Sequence, residues 1–299
     1  MAVTGFVCVN KPQDITSFVA AAKLRRIFGE KKTGHTGTLD PLATGLLVIA
    51  LGKATRFIEL IPNHDKAYRA SFVLGKTTDT LDITGKILSE QKVEVTVEQV
   101  KAVLPQFVGE IKQLPPMYSA IRKNGVRLYE LARQGIDVER EERDVTVYSL
   151  ELISSDEEKN EYTVLVSCSA GTYIRSLISD IGDVLGTGAV MTSLCRTRAN
   201  GMKIENSYSF DELEALKNEG RLSEAVTAVD ELLGYEKITV TEAQARRFSN
   251  GGELDLNRLR FSPKNGLYCV YSPDGEFLGV GLADIEAGML RVRKTLSKD

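Results

Sequence analysis

Residues 34 to 45, Gly-His-Thr-Gly-Thr-Leu-Asp-Pro-Leu-Ala-Thr-Gly, constrain the fold of this 299-residue chain more than any other stretch. Gly34, Gly37 and Gly45 open backbone conformations closed to other residues, while Pro41 fixes its own φ and biases Asp40 toward an extended geometry. The stretch reads as a shaped loop. It carries His35, one of two histidines in the chain, with several hydroxyls and one carboxylate, and it runs into the apolar segment Leu46 to Leu51, which reads as a buried strand. Irregular backbone beside a rigid strand is where reactive side chains are commonly held.

Residue types alone leave the role of this loop open. A glycine-rich turn in which Asp40 caps a neighbouring element fits its composition. A nucleotide-phosphate loop does not: that motif needs Gly, four residues, then Gly-Lys-Ser/Thr, whereas six residues separate Gly45 from Gly52 and Lys53 is followed by Ala54. Neither histidine has an evident serine nucleophile beside it.

At 42% hydrophobic, the chain can bury a substantial core, and its length fits one large domain, residues 1–236, with a small one, residues 237–299. No segment approaches the roughly twenty-residue apolar run of a membrane span, and the N-terminus lacks the basic region and long apolar core of an export signal. A cytoplasmic location and no membrane partner are the expectation. Cys8, Cys168, Cys195 and Cys269 are scattered, without a C-x-x-C pair or neighbouring histidines, which argues against a zinc site or a disulfide framework. The net charge of −3 is unevenly spread. Residues 205–236 hold nine acids against Lys217 and Arg221, so the remainder of the chain is net positive and has the charge for a basic, nucleic-acid-facing surface.

Read in order, Gly5 to Val9 is a short strand, and Asp14 to Ser17 offer caps for a helix from Phe18 to Phe28 that Gly29 closes. Ala67 to Leu74 alternates like a half-buried strand. Thr96 and Gln99 form a capping-box pattern ahead of a helix reaching about Phe107. A proline-led segment at 114–120 precedes an amphipathic helix near Val126 to Arg133, stopped at Gly135. Val145–Ile153 and Tyr162–Cys168 read as an antiparallel pair. A helix from Thr172 to Leu185 places Arg175 in its first turn, and Val190 to Arg198 alternates as a strand beside it. The acidic region reads as one or two helices. Residues 238–299 change character, with a short helix at Thr241–Phe248 and strands at Leu267–Tyr271 and Phe277–Ala283.

The run from Gly34 to Leu47, followed by Gly-Lys-Ala-Thr-Arg-Phe at 52–57, closely resembles the catalytic signature of the TruB family of bacterial tRNA pseudouridine-55 synthases. Five other strings carry the same resemblance: Lys11-Pro12, the Lys66-x-Tyr68 pattern, Pro115-Pro-x-Tyr-Ser-Ala120, Gly171-Thr-Tyr-Ile-Arg175, and Ser193-Leu-x-Arg-x-Arg198. The resemblance implies an α+β fold: a pseudouridine-synthase catalytic domain with a mixed, mostly antiparallel sheet and flanking helices, then a small C-terminal PUA-like β-barrel. It also implies the reaction, in which a uridine of the tRNA T loop is flipped out, its N1–C1′ bond broken, and the uracil turned and rejoined through C5.

By the same resemblance Asp40 is the catalytic residue, with Arg175 pairing its carboxylate, and His35 enters the T loop as the target base leaves it. Tyr68 stacks on the detached uracil and is a candidate acceptor of the C5 proton. Tyr173 contacts the nucleotide, Leu194 packs near the base, Lys11 supports the site, and Asp82 is a second acid near the substrate. The residue types suit this chemistry. A planar guanidinium fork can orient a carboxylate and favour its ionised form, and an extruded base must recover lost stacking. No cofactor, metal, guide RNA or protein partner is implied, DNA is not a partner, and a monomer is expected. An N-glycoside hydrolase using Asp40 and Asp82, a silent RNA-binding protein, and a guide-dependent relative are the rival readings.

Overall fold

The computed structural model describes residues 3–259 and 263–296. In chain order the elements are β1 (Gly5–Lys11), α1 (Ser17–Phe28), β2 (Thr33–His35), β3 (Thr44–Leu51), a 3₁₀ segment (Gly52–Leu60), β4 (Lys66–Leu74), β5 (Lys76–Thr78), β6 (Ile87–Glu90) and α2 (Val97–Val103). Then follow β7 (Gly109–Gln113), β8 (Arg122–Lys123), β9 (Val126–Arg127), α3 (Leu128–Ala132), β10 (Arg143–Asp156), β11 (Glu161–Cys168), α4 (Ile174–Val184), β12 (Ala189–Ala199) and β13 (Met202–Lys203). The chain ends with α5 (Phe210–Asn218), α6 (Val229–Leu233), β14 (Lys237–Thr239), α7 (Glu242–Ser249), β15 (Leu254–Asp255), β16 (Gly266–Tyr271), β17 (Phe277–Asp284) and β18 (Met289–Thr295).

The large sheet runs β1-β3-β12-β4-β11-β10-β7, with β2 on β3 and β13 on β12. All its pairings are antiparallel except β12 with β3, so it is mixed and mostly antiparallel. The unbroken apolar run of β3 is explained by burial on both faces. Leu47, Ile49 and Leu51 enter a core with Ala20 and Leu24 of α1 and the apolar residues of α4. Leu46, Val48 and Ala50 point the other way, into a second core shared with Phe57 and with Cys269, Tyr271 and Val280 of the C-terminal unit. That unit is a curled five-stranded sheet, β14-β16-β17-β18-β15, with Ala245 and Phe248 of α7 in its own core.

Several local signals act as the sequence predicts. Thr16 caps α1, a capping box opens α2 and Gly29 ends α1 in the left-handed region; capping boxes that the sequence reading did not name also open α5 and α7. One expectation is corrected. The helix expected over Val126–Arg133 shrinks to Leu128–Ala132, because Asn124 (φ 53°) and Gly125 (φ 84°) make a tight turn that pairs Arg122–Lys123 with Val126–Arg127. Asn-Gly is a strong hairpin signal, and the helical spacing of the apolar residues hid it.

Candidate active site

The 34–45 loop leaves β2 at His35 and re-enters the sheet at Thr44. Along one edge β3 has two partners: β2 opposite Ile49–Leu51, and β12 opposite Thr44 and Gly45. The loop emerges where one partner gives way to the other. Gly45 sits at φ +94°, and a Cβ there would lie 2.4 Å from the Arg196 carbonyl oxygen, so only glycine lets β12 approach this closely.

The loop is pinned from several directions. Ser17 Oγ accepts from Leu39 N (2.8 Å) and donates to its carbonyl (3.1 Å), and Asp14 N donates to Pro41 O (2.9 Å). Lys11 Nζ donates to the carbonyls of Pro12 (2.9 Å), Ile15 (2.8 Å) and Pro41 (3.3 Å), tying the end of β1 to the residue after Asp40. From β12, Arg196 donates to the carbonyls of Leu46 (2.7 Å), Gly37 (3.1 Å) and Thr38 (3.3 Å).

Asp40 stands at the rim with its side chain 36% exposed, its Oδ2 2.9 Å from Nη2 of Arg175. Arg175 lies in the first turn of α4, and its fork is oriented by the carbonyls of Thr80 and Tyr118, both at 2.8 Å. Its Nη1 is 3.8 Å from Oδ2 of Asp82, an ion-pair approach too long for a hydrogen bond. Asp82 is buried, and its Oδ1 accepts from Thr80 Oγ1 (2.9 Å), Thr84 N (3.0 Å) and the Thr84 hydroxyl. Its segment is held to β12 by reciprocal backbone bonds, Met191 N to Leu81 O and Ile83 N to Met191 O. Asp40, Arg175 and Asp82 thus form a row in which the cation separates the two acids.

Tyr68 and Arg196 face each other across β4 and β12, and directly opposed antiparallel residues project on the same side. The guanidinium consequently lies against the Tyr68 hydroxyl. Burial pushes that hydroxyl up to about 12. Leu194, two residues earlier on β12, lies opposite Ala70 and is buried. Tyr173 precedes α4, and the buried Gln113 holds its backbone from both ends, accepting from Tyr173 N (3.0 Å) and donating to Tyr173 O (3.2 Å). His35 is the last residue of β2, opposite Ile49 of β3. Its Nδ1 is buried without a hydrogen-bond partner among the described residues, and burial, reinforced by the nearby Arg196 charge, lowers its pKa.

Three cations are therefore enclosed here: Lys11 at 0%, Arg196 at 1% and Arg175 at 4% exposure. Burying a charge costs on the order of several kcal/mol per ion, and these are compensated mainly by backbone carbonyls. Burial brings Lys11 down to about 8, opposed by the fields of Asp40 and Asp14. Residue types and spacing did not single out Arg196, Gln113 or the Thr80 and Tyr118 carbonyls. The only signal for Arg196 was its place in the Ser-Leu-x-Arg-x-Arg string, which does not distinguish it from the exposed Arg198.

The family described as TruB family pseudouridylate synthase (N terminal domain) matches residues 25–174, and the tRNA pseudouridylate synthase B C-terminal domain matches residues 175–234. A tRNA pseudouridine synthase B of Clostridium perfringens is 42% identical over 287 residues, covering 94% of this chain and 96% of that protein. Proteins of the same name from Dechloromonas aromatica (44% identical, 93% of this chain and 91% of that protein) and Pseudomonas fluorescens (40%, 99% and 97%) are similar over nearly their whole lengths. Among solved structures, one described as a Cbf5-Nop10-Gar1 complex has a chain that aligns with a TM-score of 0.73 at 26% identity, over 97% of this chain and 84% of that one. Signature, sheet and similarity over nearly the full length agree, and the chain belongs to the TruB family of pseudouridylate synthases, a family of isomerases.

Proposed function

We propose that this protein converts a uridine in the T loop of tRNA, position 55, to pseudouridine, with Asp40 as the catalytic residue. The observation that carries the reading is the Asp40–Arg175 pair, 2.9 Å apart at the mouth of a loop clamped by Lys11, Ser17 and Arg196. The names of the curated relatives support tRNA as the substrate.

Asp40 is the carboxylate that a substrate can reach; Asp82, enclosed and already bonded through Oδ1, instead orients Arg175 from behind. This arrangement disfavours a two-carboxylate hydrolase, which needs both acids facing the glycosidic bond. Arg175 aims the Asp40 carboxylate, which then either attacks C1′ to form a sugar ester or removes the 2′ proton to give a glycal. Tyr68, its hydroxyl at about 12, is a neutral phenol near pH 7 and acts by stacking on the detached uracil rather than as a phenolate base. Leu194 and Tyr173 bound the base on other sides, and His35 fills the space that the flipped nucleotide vacates, offsetting an unstacking cost of about a few kcal/mol.

The C-terminal unit acts as a PUA-like RNA-binding domain, residues 237–299, on the catalytic domain, residues 1–236. Arg293 of β18 offers charge to the phosphate backbone, beside Arg291 and Lys294, which pair with Asp284 (3.5 Å) and Glu59 (2.7 Å) and would have to exchange those partners to join it. The enzyme works in the cytoplasm as a monomer, without guide RNA, cofactor or metal.

The test is direct: unmodified tRNA is incubated with purified protein, without guide RNA, ATP or metal, and T-loop nucleosides are analysed beside an Asp40→Asn control. Pseudouridine from the wild type alone supports the proposal. Free uracil instead would indicate a hydrolase, and binding without product a silent RNA-binding protein.

A further inference from the structure

We propose that Arg196 is a positioning residue that fixes the spacing between the Asp40 loop and the Tyr68 ring, and so keeps the detached uracil within reach of C1′. This inference rests on the proposed isomerisation. One guanidinium contacts both halves of the reaction centre. It donates to Gly37 and Thr38 on the limb leading to Asp40, to Leu46 where the chain re-enters β3, and it lies against Tyr68 on the neighbouring strand. These partners reach Arg196 from the loop, from β3 and from β4.

Arg196 is not there to neutralise an acid. Among the described residues it forms no ion pair with a carboxylate, and the charged groups whose fields overlap its own include the cations Lys11 and Lys66. A buried cation held by neutral carbonyls contributes geometry: its planar fork fixes several oxygens at set angles, which a single ammonium cannot do. The family reaction passes through a state in which the uracil is bonded to nothing. If Tyr68 drifts from the Asp40 loop, water competes for C1′. The N1–C1′ bond has then broken with its electron pair on uracil, water supplies hydroxide to C1′ and a proton to the base, and the products are uracil and an abasic ribose.

Arg196→Lys and Arg196→Gln are assayed with tRNA carrying carbon-14-labelled uracil, scoring pseudouridine and free uracil under single-turnover conditions, alongside Tyr68→Phe and the Arg196→Lys/Tyr68→Phe double variant. The expected result for Arg196→Lys is pseudouridine formation slowed about 100-fold, as for a misplacement near 1 Å, with tRNA affinity within about threefold of wild type and a measurable share of turnovers ending in free uracil. The double variant should be slowed by clearly less than the product of the two single effects, because both act on one spacing. Strict pseudouridine product, a rate within about threefold of wild type in a folded variant, or independent multiplication of the two effects would overturn the proposal. Should neither Arg196 variant fold, Tyr68→Phe decides: uracil release there sustains the proposal and its absence sinks it. If the wild type itself makes no pseudouridine, the proposed function fails rather than this inference.

Discussion

The two sides of β3 use different means to hold the same strand. One side leads to the candidate active site, where Arg175, Arg196 and Lys11 are enclosed and held mainly by carbonyl oxygens, with Asp40 and Asp82 flanking Arg175. The other faces the C-terminal unit through apolar packing: Phe57 against Phe277 with centroids 5.9 Å apart, and Phe277 against Tyr271 at 5.7 Å. Polar groups there are directly paired, as where Tyr235 donates to Leu60 O (2.6 Å), Tyr271 to Asp230, and Lys294 meets Glu59 (2.7 Å). Apolar burial supplies stability without direction. Buried charges supply direction at a cost in stability. The difference implies that variants on the first side should lose rate, and variants on the second should lose stability.

The largest expected effect is on the site side. Asp40→Asn should lower pseudouridine formation by about 10⁴-fold or more while leaving the melting temperature near that of the wild type. A variant that unfolds instead would mean that Asp40 is structural. Across the strand, Phe57→Ala should cost about 3–5 kcal/mol of stability through lost burial and a residual cavity, with kcat unchanged for the molecules that remain folded; denaturant unfolding beside single-turnover assays separates the two. Returning to the site, Arg175→Lys keeps the charge and loses the fork, and should slow the reaction about 10²–10³-fold with little change in tRNA affinity. Equal losses in affinity and rate would blur the contrast between the faces.

Lys11 gives a pH-dependent test of the same contrast. Its folded-state pKa, about 8, lies below the ordinary lysine value of 10.5, so between these pH values the unfolded chain binds the proton that the folded chain has lost. Its burial penalty is therefore fully present below pH 8 and is relieved as pH rises, with a slope of up to about 1.4 kcal/mol per pH unit. Wild type should gain stability relative to Lys11→Met across pH 8–10, measured as the difference in unfolding free energy; a constant difference would show that the ammonium is not burdened by burial. The smallest effect belongs to the apolar side. Tyr271→Phe removes the donor to Asp230 and should cost about 1–2 kcal/mol, leaving the rate of pseudouridine formation untouched.

Much of this layout was legible in the residues. The caps at Thr16, Thr96, Ser209 and Thr241 act within one turn of themselves, so their chemistry is written locally. The apolar run of β3 announced a buried strand, and the helix expected over Thr172–Leu185 forms over Ile174–Val184 with Arg175 in its first turn. Less legible were features that depend on two distant segments meeting. Arg196 and Arg198 look alike in the string, yet Arg196 is enclosed against Tyr68 while Arg198 is exposed and donates to Ser167 (3.1 Å); the register shift between them sets the difference. The short helix at 128–132 was overestimated because a two-residue turn outweighed helical spacing.

The sequence by itself determined the local shape of the stretch that holds His35 and Asp40, because its glycines and Pro41 limit the torsions open to the loop wherever it is placed. Only the tertiary structure decided how those residues are aimed. The Thr80 and Tyr118 carbonyls that turn the Arg175 fork lie 95 and 57 residues away along the chain, and main-chain oxygens have no letter in a sequence. Their directions are fixed when the β5–β6 hairpin, the 114–120 segment and α4 close on the sheet, since a hydrogen bond acts only over about 3 Å and within a narrow angle.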